Sequence, residues 1–333
     1  MNNLGAYKVD RRKRHSIYKQ ALKTYSSAIL ERGCHTLFFP GGGRSRYGGL
    51  EKKLKLGLLG TAIDAYIENL IHNRPKPNIF IVPCTISYHF TLEASTLIDD
   101  YLKEQGKSRY IIDDDESTHP KEVAQFLYKF LSASSSLHVN FGQAIDPFGN
   151  LVDDQGQSMG VQNRPIDIKS FVVSDGKICH QSQRDAEYTA LLGEKILQRY
   201  RKENIALTSH FIAYAYFELL RQKFAQGDIF RLFRLSESET RIRFCDFSVF
   251  ANELLQKLHS LYNEGEVLLE PALRSPELKN ILEAANRNLG VYHSKRPLKL
   301  DLGENSSIDD NTWLSSEDTK LLFYYRRGTF VLA

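Results

Sequence analysis

The sequence is poor in the features that mark whole classes of protein. Of its 333 residues only 4 are cysteine, 2 methionine and 1 tryptophan. Cys34, Cys84, Cys179 and Cys245 lie far apart, with no CxxC or CxxH spacing. That suggests neither a disulfide framework nor a zinc site, and it fits a reducing compartment. No run of 18 or more apolar residues occurs, so no segment reads as a spanning helix. The first 15 residues are basic and polar rather than the apolar core of a signal peptide. Internal repeats and low-complexity tracts are also absent.

What remains is ordinary globular composition, 42% hydrophobic and 25% charged, with a net charge of +4. The basicity is too mild to argue for a nucleic-acid binder, which would carry a stronger charge and interleaved aromatics. The charge is uneven, however. Lys8, Arg11, Arg12, Lys13, Arg14, Lys19 and Lys23 stand against Asp10 alone. Two readings stay open, a solvated helix face or attraction to anionic lipid or a phosphorylated substrate.

Along the chain, strand-like and helix-like segments alternate at first, which predicts an α/β class. LGAYKV reads as a strand. A helix follows over HSIYKQALKTYSSAILERG, with Tyr18, Ala21, Leu22, Tyr25, Ala28 and Ile29 at helical spacing and Gly33 as its stop. CHTLFF reads as a short buried strand ending at Pro40, and Leu59 to Ile71 as a helix ended by NRPKP. NIFIVPCTISY reads as a central strand interrupted by Pro83, RYIID and SLHVNFG as further strands, and PKEVAQFLYKFLSASS as a helix. The division expected is a partial α/β domain over 1–150, a polar linker or insertion over 151–183 and a mainly helical region over 184–333.

The loop after CHTLFF, PGGGRSRYGG, joins a strand-like to a helix-like segment, a shape suited to phosphate because backbone N–H groups point at the ligand. It is not a nucleotide loop. GxxxxGK[ST] fails for want of a lysine, and GxGxxG fails because Arg46 stands three residues after Gly43. What the loop offers is Arg44 and Arg46, each able to grip a phosphate with two parallel hydrogen bonds, with the Ser45 hydroxyl between them. That inventory fits a phosphate monoester; a plain surface hairpin is the alternative.

FFPGGGRSR resembles the third sequence motif, F-P-E-G-x-R-S, of the glycerolipid acyltransferases. LGAYKVDRR is similar to their second motif, IFIVPCTISY to their fourth, and VNFGQAI to the strand that follows in the larger glycerol-3-phosphate members. ENIALTSHFIAYAYFELL and LLFYYRRG resemble segments of that branch's helical C-terminal part. The resemblance implies an incomplete acyltransferase-like sheet with flanking helices, then a mainly helical part. It also implies that Arg44, Ser45 and Arg46, with Gly42 and Gly43 shaping the loop and Arg11 lining the pocket, bind the phosphate of glycerol 3-phosphate. Pro83 would shape the acyl-donor side. The donor would be acyl-CoA or acyl-carrier protein, with no metal and no other cofactor. Gly41 stands where the family usually has Glu, which puts affinity more than reaction type in question.

Acyl transfer to an alcohol needs a base near the hydroxyl, in this family the His of a His-x4-Asp motif upstream of the second motif. Among the ten histidines one such spacing occurs, His180 to Asp185, after the third motif instead of before the second. His15 and His35 have no such Asp. The catalytic His and Asp are thus absent from their expected place, and the sequence reads as an N-terminally shortened, weakly active or inactive acyltransferase, poorly soluble or membrane-associated. A lysophosphatidate acyltransferase and a non-catalytic module for a phosphate or lipid surface are the alternatives. The expected location is the cytoplasmic face of a membrane, held peripherally.

Overall fold

The structure is a computed structural model that describes residues 9–10, 13, 15–41, 49–89, 91, 93–104, 137–224, 229–291, 293–303 and 307–326. Its longer elements begin with α1 (Ser16–Glu31), α2 (Thr61–Ile71), β1 (Cys84–Tyr88), α3 (Ala94–Glu104), β2 (Leu137–Phe141) and α4 (Ser182–Glu203). They continue with β3 (Ile205–Ala206), α5 (Thr208–Lys223), β4 (Ile242–Arg243), α6 (Phe244–Asn263) and β5 (Leu268–Leu269). The last are α7 (Leu278–Asn288), β6 (Lys299–Asp301), β7 (Trp313–Ser315) and α8 (Thr319–Tyr325). Helix and sheet are mixed, with helix predominating and sheets of two or three strands. No helix among the described residues is long and apolar enough to cross a membrane. The strands and helix expected in LGAYKV, RYIID and PKEVAQFLYKFLSASS lie outside the described residues, Val9 excepted.

Contacts divide the chain into two compact units that interleave in sequence and do not follow boundaries at 150 and 183. The first holds Met1–Gly43, Lys52–Pro83 and Gln143–Gln198. The second holds Arg44–Glu51, Cys84–Gly142 and Arg199–Ala333.

In the first unit α1 lies against α2. The helical period of α1 holds, and Gly33 ends it at φ +76°, where glycine carries no Cβ penalty. Its buried positions are Ser26 and Ser27, however, while Tyr25 is half exposed. Ser26 Oγ and Thr61 Oγ1 share a 3.2 Å hydrogen bond, and small side chains at that crossing let the two helices approach. α2 buries Ile63, Tyr66 and Ile67 against Phe148, Ile168 and Val172. Phe148 meets the edges of the Tyr66 and Tyr188 rings at 5.8 and 5.0 Å.

The stretch expected to be a polar linker or insertion is folded. The Asp146 carboxylate accepts the Phe148 and Asn150 N–H groups at 2.8 and 3.0 Å, a turn that aims Phe148 into this core. Leu151–Val152 then pairs with Ser158–Met159. The CHTLFF expectation is corrected: residues 34–39 form no strand, and Leu37 and Phe39 are 82% and 73% exposed. Apolar composition alone does not make a strand, which needs a ladder partner, and this run has none among the described residues.

In the second unit β1 begins directly after Pro83 and, among the described residues, pairs with β2 only, antiparallel, where a central strand was expected. The pair is polar on its inner face. Thr85 and Ser87 are buried, whereas Ile86 and Val139, opposite one another, are exposed. Thr85 Oγ1 donates to the Glu203 carbonyl at 2.9 Å, and Ser87 Oγ to Asn204 Oδ1 at 3.2 Å. Hydrogen bonds therefore satisfy this buried face where apolar contacts would be usual.

The helical core is built around α5, whose FIAYAYFELL run is apolar on every side and consequently central. Phe211, Ile212, Tyr216, Phe217 and Leu220 are each 1% exposed or less, burial worth about 1.5–3 kcal/mol per large side chain. α6, α7 and α8 pack around it. Beside its N-terminus β3 and β5 form a short parallel pair, Ile205 with Leu268 and Ala206 with Leu269.

Candidate functional site

The parallel pairing has a chemical result. Glu270 directly follows β5 and donates its N–H to the Ala206 carbonyl at 3.1 Å, which sets its side chain at the N-terminus of α5. Leu207, the residue that caps this helix, offers no side-chain acceptor. Glu270 Oε1 supplies one from another strand by accepting the Thr208 N–H. A carboxylate at the positive end of a helix is favourable both as a hydrogen-bond acceptor and as a charge.

β1 and β2 bring two histidines to the same place. Ser87 and His138 are directly opposed in the ladder, and His89 lies two residues beyond Ser87. A strand period of two turns both imidazoles to the buried face. Their rings are 6.1 Å apart and nearly perpendicular. His89 Nε2 is 3.1 Å from Glu270 Oε2, and His138 Nε2 is 3.8 Å from the same oxygen. On its other side His89 Nδ1 is 2.9 Å from Ser209 Oγ, in the first turn of α5. The His89 and Glu270 side chains are only 3% and 6% exposed, the His138 side chain 22%.

Burial works to raise the pKa of Glu270, but the hydrogen bond and charge of His89 and the bonds from Thr208 outweigh it and leave the carboxyl below its usual range. His210, next along α5, behaves oppositely. Burial, reinforced by the charge of His89, pushes it down to about 4. It is therefore neutral at ordinary pH. Its ring hydrogen-bonds the Tyr88 backbone, and its Nδ1 is closed off from solvent with no hydrogen-bond partner.

No family model matches the chain, and no solved structure matches it.

The residues picked out from sequence fall elsewhere. Arg11, Gly42, Gly43, Arg44, Ser45 and Arg46 lie outside the described residues. Pro83 is buried immediately before β1. His180 and Asp185 do approach, at 3.8 Å, but as part of a partly exposed carboxylate cluster in the first unit. His180 Nε2 bonds Glu68 Oε1 at 2.8 Å, and its Nδ1 lies 3.9 Å from Asp64 Oδ1. Asp185 is committed to the start of α4, accepting the Gln181 N–H at 2.9 Å, and to Arg184 at 2.8 Å. An open groove of about 840 Å³ runs beside this cluster, lined by Lys19, Lys23, Asp64, Glu68 and His180 among others. His15 and His35 are exposed.

His89, Ser209 and Glu270 form a hydroxyl–imidazole–carboxylate chain of the type that activates a serine. Ser209 is 0% exposed, however, so no substrate reaches its hydroxyl. What the geometry provides is a set of oriented lone pairs. Sequence reading missed the set because its members are far apart in the chain and obey no local spacing. The one signal was His89, a polar residue continuing the polar alternation of Thr85 and Ser87.

Proposed function

We propose that this chain is an acyltransferase of phospholipid synthesis that moves a fatty acyl group from an acyl thioester to the 1-hydroxyl of glycerol 3-phosphate. The observation that carries the reading is the order of segments, GAYKVDRR, FFPGGGRSR, IVPCTISY and VNFGQAI. The antiparallel pairing of the last two, as β1 and β2, agrees with their forming one local unit. In this reading Arg44 and Arg46 hold the phosphate, Ser45 donates between them, Gly42 and Gly43 allow the backbone to approach, and Arg11 lines the pocket. Pro83 belongs to the acyl side, where acyl-CoA or acyl-carrier protein delivers the chain. The product is a single-chain amphiphile, so a peripheral position at the cytoplasmic membrane face follows, aided by the basic segment from Lys8 to Lys23.

The test is radiolabelled glycerol 3-phosphate with palmitoyl-CoA, on membranes from cells expressing the protein. Labelled lysophosphatidate should form and should fall at least a hundredfold in Arg44→Ala. Membranes that form none refute the assignment. A second reading is favoured by one observation, the engagement of Asp185 by Gln181 and Arg184, which leaves the His180–Asp185 spacing without a catalytic pair. It is a non-catalytic module that holds a phosphate or lipid surface. It predicts retention of glycerol 3-phosphate, lost in Arg46→Ala, with no transfer.

A further inference from the structure

His89, His138 and Glu270 each offer one ligand atom, and the three atoms lie within 4.8 Å of one another. We propose that these residues form a zinc site, with Nε2 of His89, Nε2 of His138 and Oε2 of Glu270 as ligands and one position left for water. The inference stands independently of the acyltransferase reading.

The donor set comes first. Two imidazoles and one carboxylate suit a borderline divalent ion and select against magnesium and calcium, which take oxygen ligands. Two histidines with one glutamate are a known set for zinc with an open fourth position. Zinc bonds of about 2.0–2.1 Å in tetrahedral geometry place ligand atoms about 3.4 Å apart. The separations of 3.1 and 3.8 Å bracket that value. Both are measured to the same oxygen, so one ion placed among the three atoms serves both pairs.

The orientation of the ligands is the second and independent observation. Zinc-binding histidines commonly donate their other ring N–H to an oxygen, which frees the remaining nitrogen as a lone pair. Ser209 Oγ is in position to accept the His89 Nδ1 proton, at 2.9 Å. With Nδ1 turned to Ser209, His89 Nε2 and Glu270 Oε2 face one another at 3.1 Å, and a zinc ion would take the place of the proton that otherwise joins them. Glu270 is oriented in the same manner. The Thr208 N–H occupies Oε1 and leaves Oε2 for the ion. A proton shared by His89 and Glu270 engages that pair, whereas an ion would engage all three groups.

The ion would tie three segments together, the end of β1, the start of β2 and the residue after β5, beside the N-terminus of α5. Of the three side chains His138 is the most exposed, at 22%, and it is the side from which the ion and its water would enter.

The experiment uses the full chain, freed of metal with a chelator and then titrated with zinc, with cobalt(II) as a spectroscopic stand-in. One equivalent of zinc should bind and raise the melting temperature, and cobalt should give the visible absorption of a tetrahedral N/O site. His138→Ala, changed where the site meets solvent, should keep the helical circular dichroism and the cooperative melt of the metal-free protein. It should lose at least tenfold in zinc affinity and lose the cobalt bands. Ser209→Ala should weaken zinc by about 10–100-fold without removing a ligand. Absence of stoichiometric zinc from the folded wild-type protein overturns the proposal. So does a His138→Ala protein that binds zinc as the wild type does, because the ion then sits elsewhere.

Discussion

Among the described residues two histidine–carboxylate clusters, one in each unit, look alike on paper and differ in kind. Around His180 three carboxylates compete for one ring in partial contact with solvent, and Asp185 has partners of its own. Around His89 there is one carboxylate, and each of its oxygens has a separate task. The acids respond oppositely. Burial raises the pKa of Asp64 beyond what His180 and Lys23 offset, while His89 and Thr208 hold that of Glu270 down despite burial. Nearness of His to Asp or Glu is thus a weak indicator of chemistry. How many acceptors share a ring, and whether water competes, separates a designed site from a charged surface.

The sharpest way to break the contrast is Glu270→Ala. It strips the Thr208 N–H of its acceptor and removes the carboxylate from two histidines, a loss of about 3–5 kcal/mol expected for breaking a buried pair. A denaturant midpoint equal to that of the wild type would place the two clusters on the same footing. Ser209→Ala comes next, at roughly 1–3 kcal/mol in metal-free protein, because it leaves His89 Nδ1 buried without its partner.

In the other unit Asp185→Ala should cost about 1 kcal/mol through loss of an acceptor at the start of α4. His180→Ala should cost less than about 1 kcal/mol, as partly exposed ion pairs do. A larger loss for His180→Ala than for Ser209→Ala, in parallel denaturation curves, would reverse the ranking.

The pH response sharpens the comparison further. His210 has a folded pKa of about 4 against 6.5 for the free side chain. Between those values the unfolded chain binds more protons than the folded one, so stability falls as pH falls from about 6.5 towards about 4. Chelator-treated protein should show that slope in its melting temperature, and His210→Gln should flatten it. An unchanged slope in the variant would assign it to other groups.

Much of the helical framework was legible. α1 and α2 fall on segments with helical apolar spacing, and α5, α6 and α7 lie within the region read as mainly helical, because a helix makes its hydrogen bonds within itself. Strands depend on partners, and there the reading was partial. CTISY and LHVNF became a ladder, while CHTLFF, equally apolar, did not. Arg44, Ser45 and Arg46, proposed to hold a phosphate, lie outside the described residues, so that proposal rests on the sequence.

The sequence by itself determined most of the helices and their stops, which rest on neighbours a few residues away. Tertiary structure alone decided that Ser26 and Ser27 would be the buried side of α1, and that β1 and β2 would turn their polar face inward. It alone brought His89, His138 and Glu270 to one point. The parallel pairing of β3 with β5 carries Glu270 to the end of α5, and long-range pairing of that kind leaves no local spacing to be read.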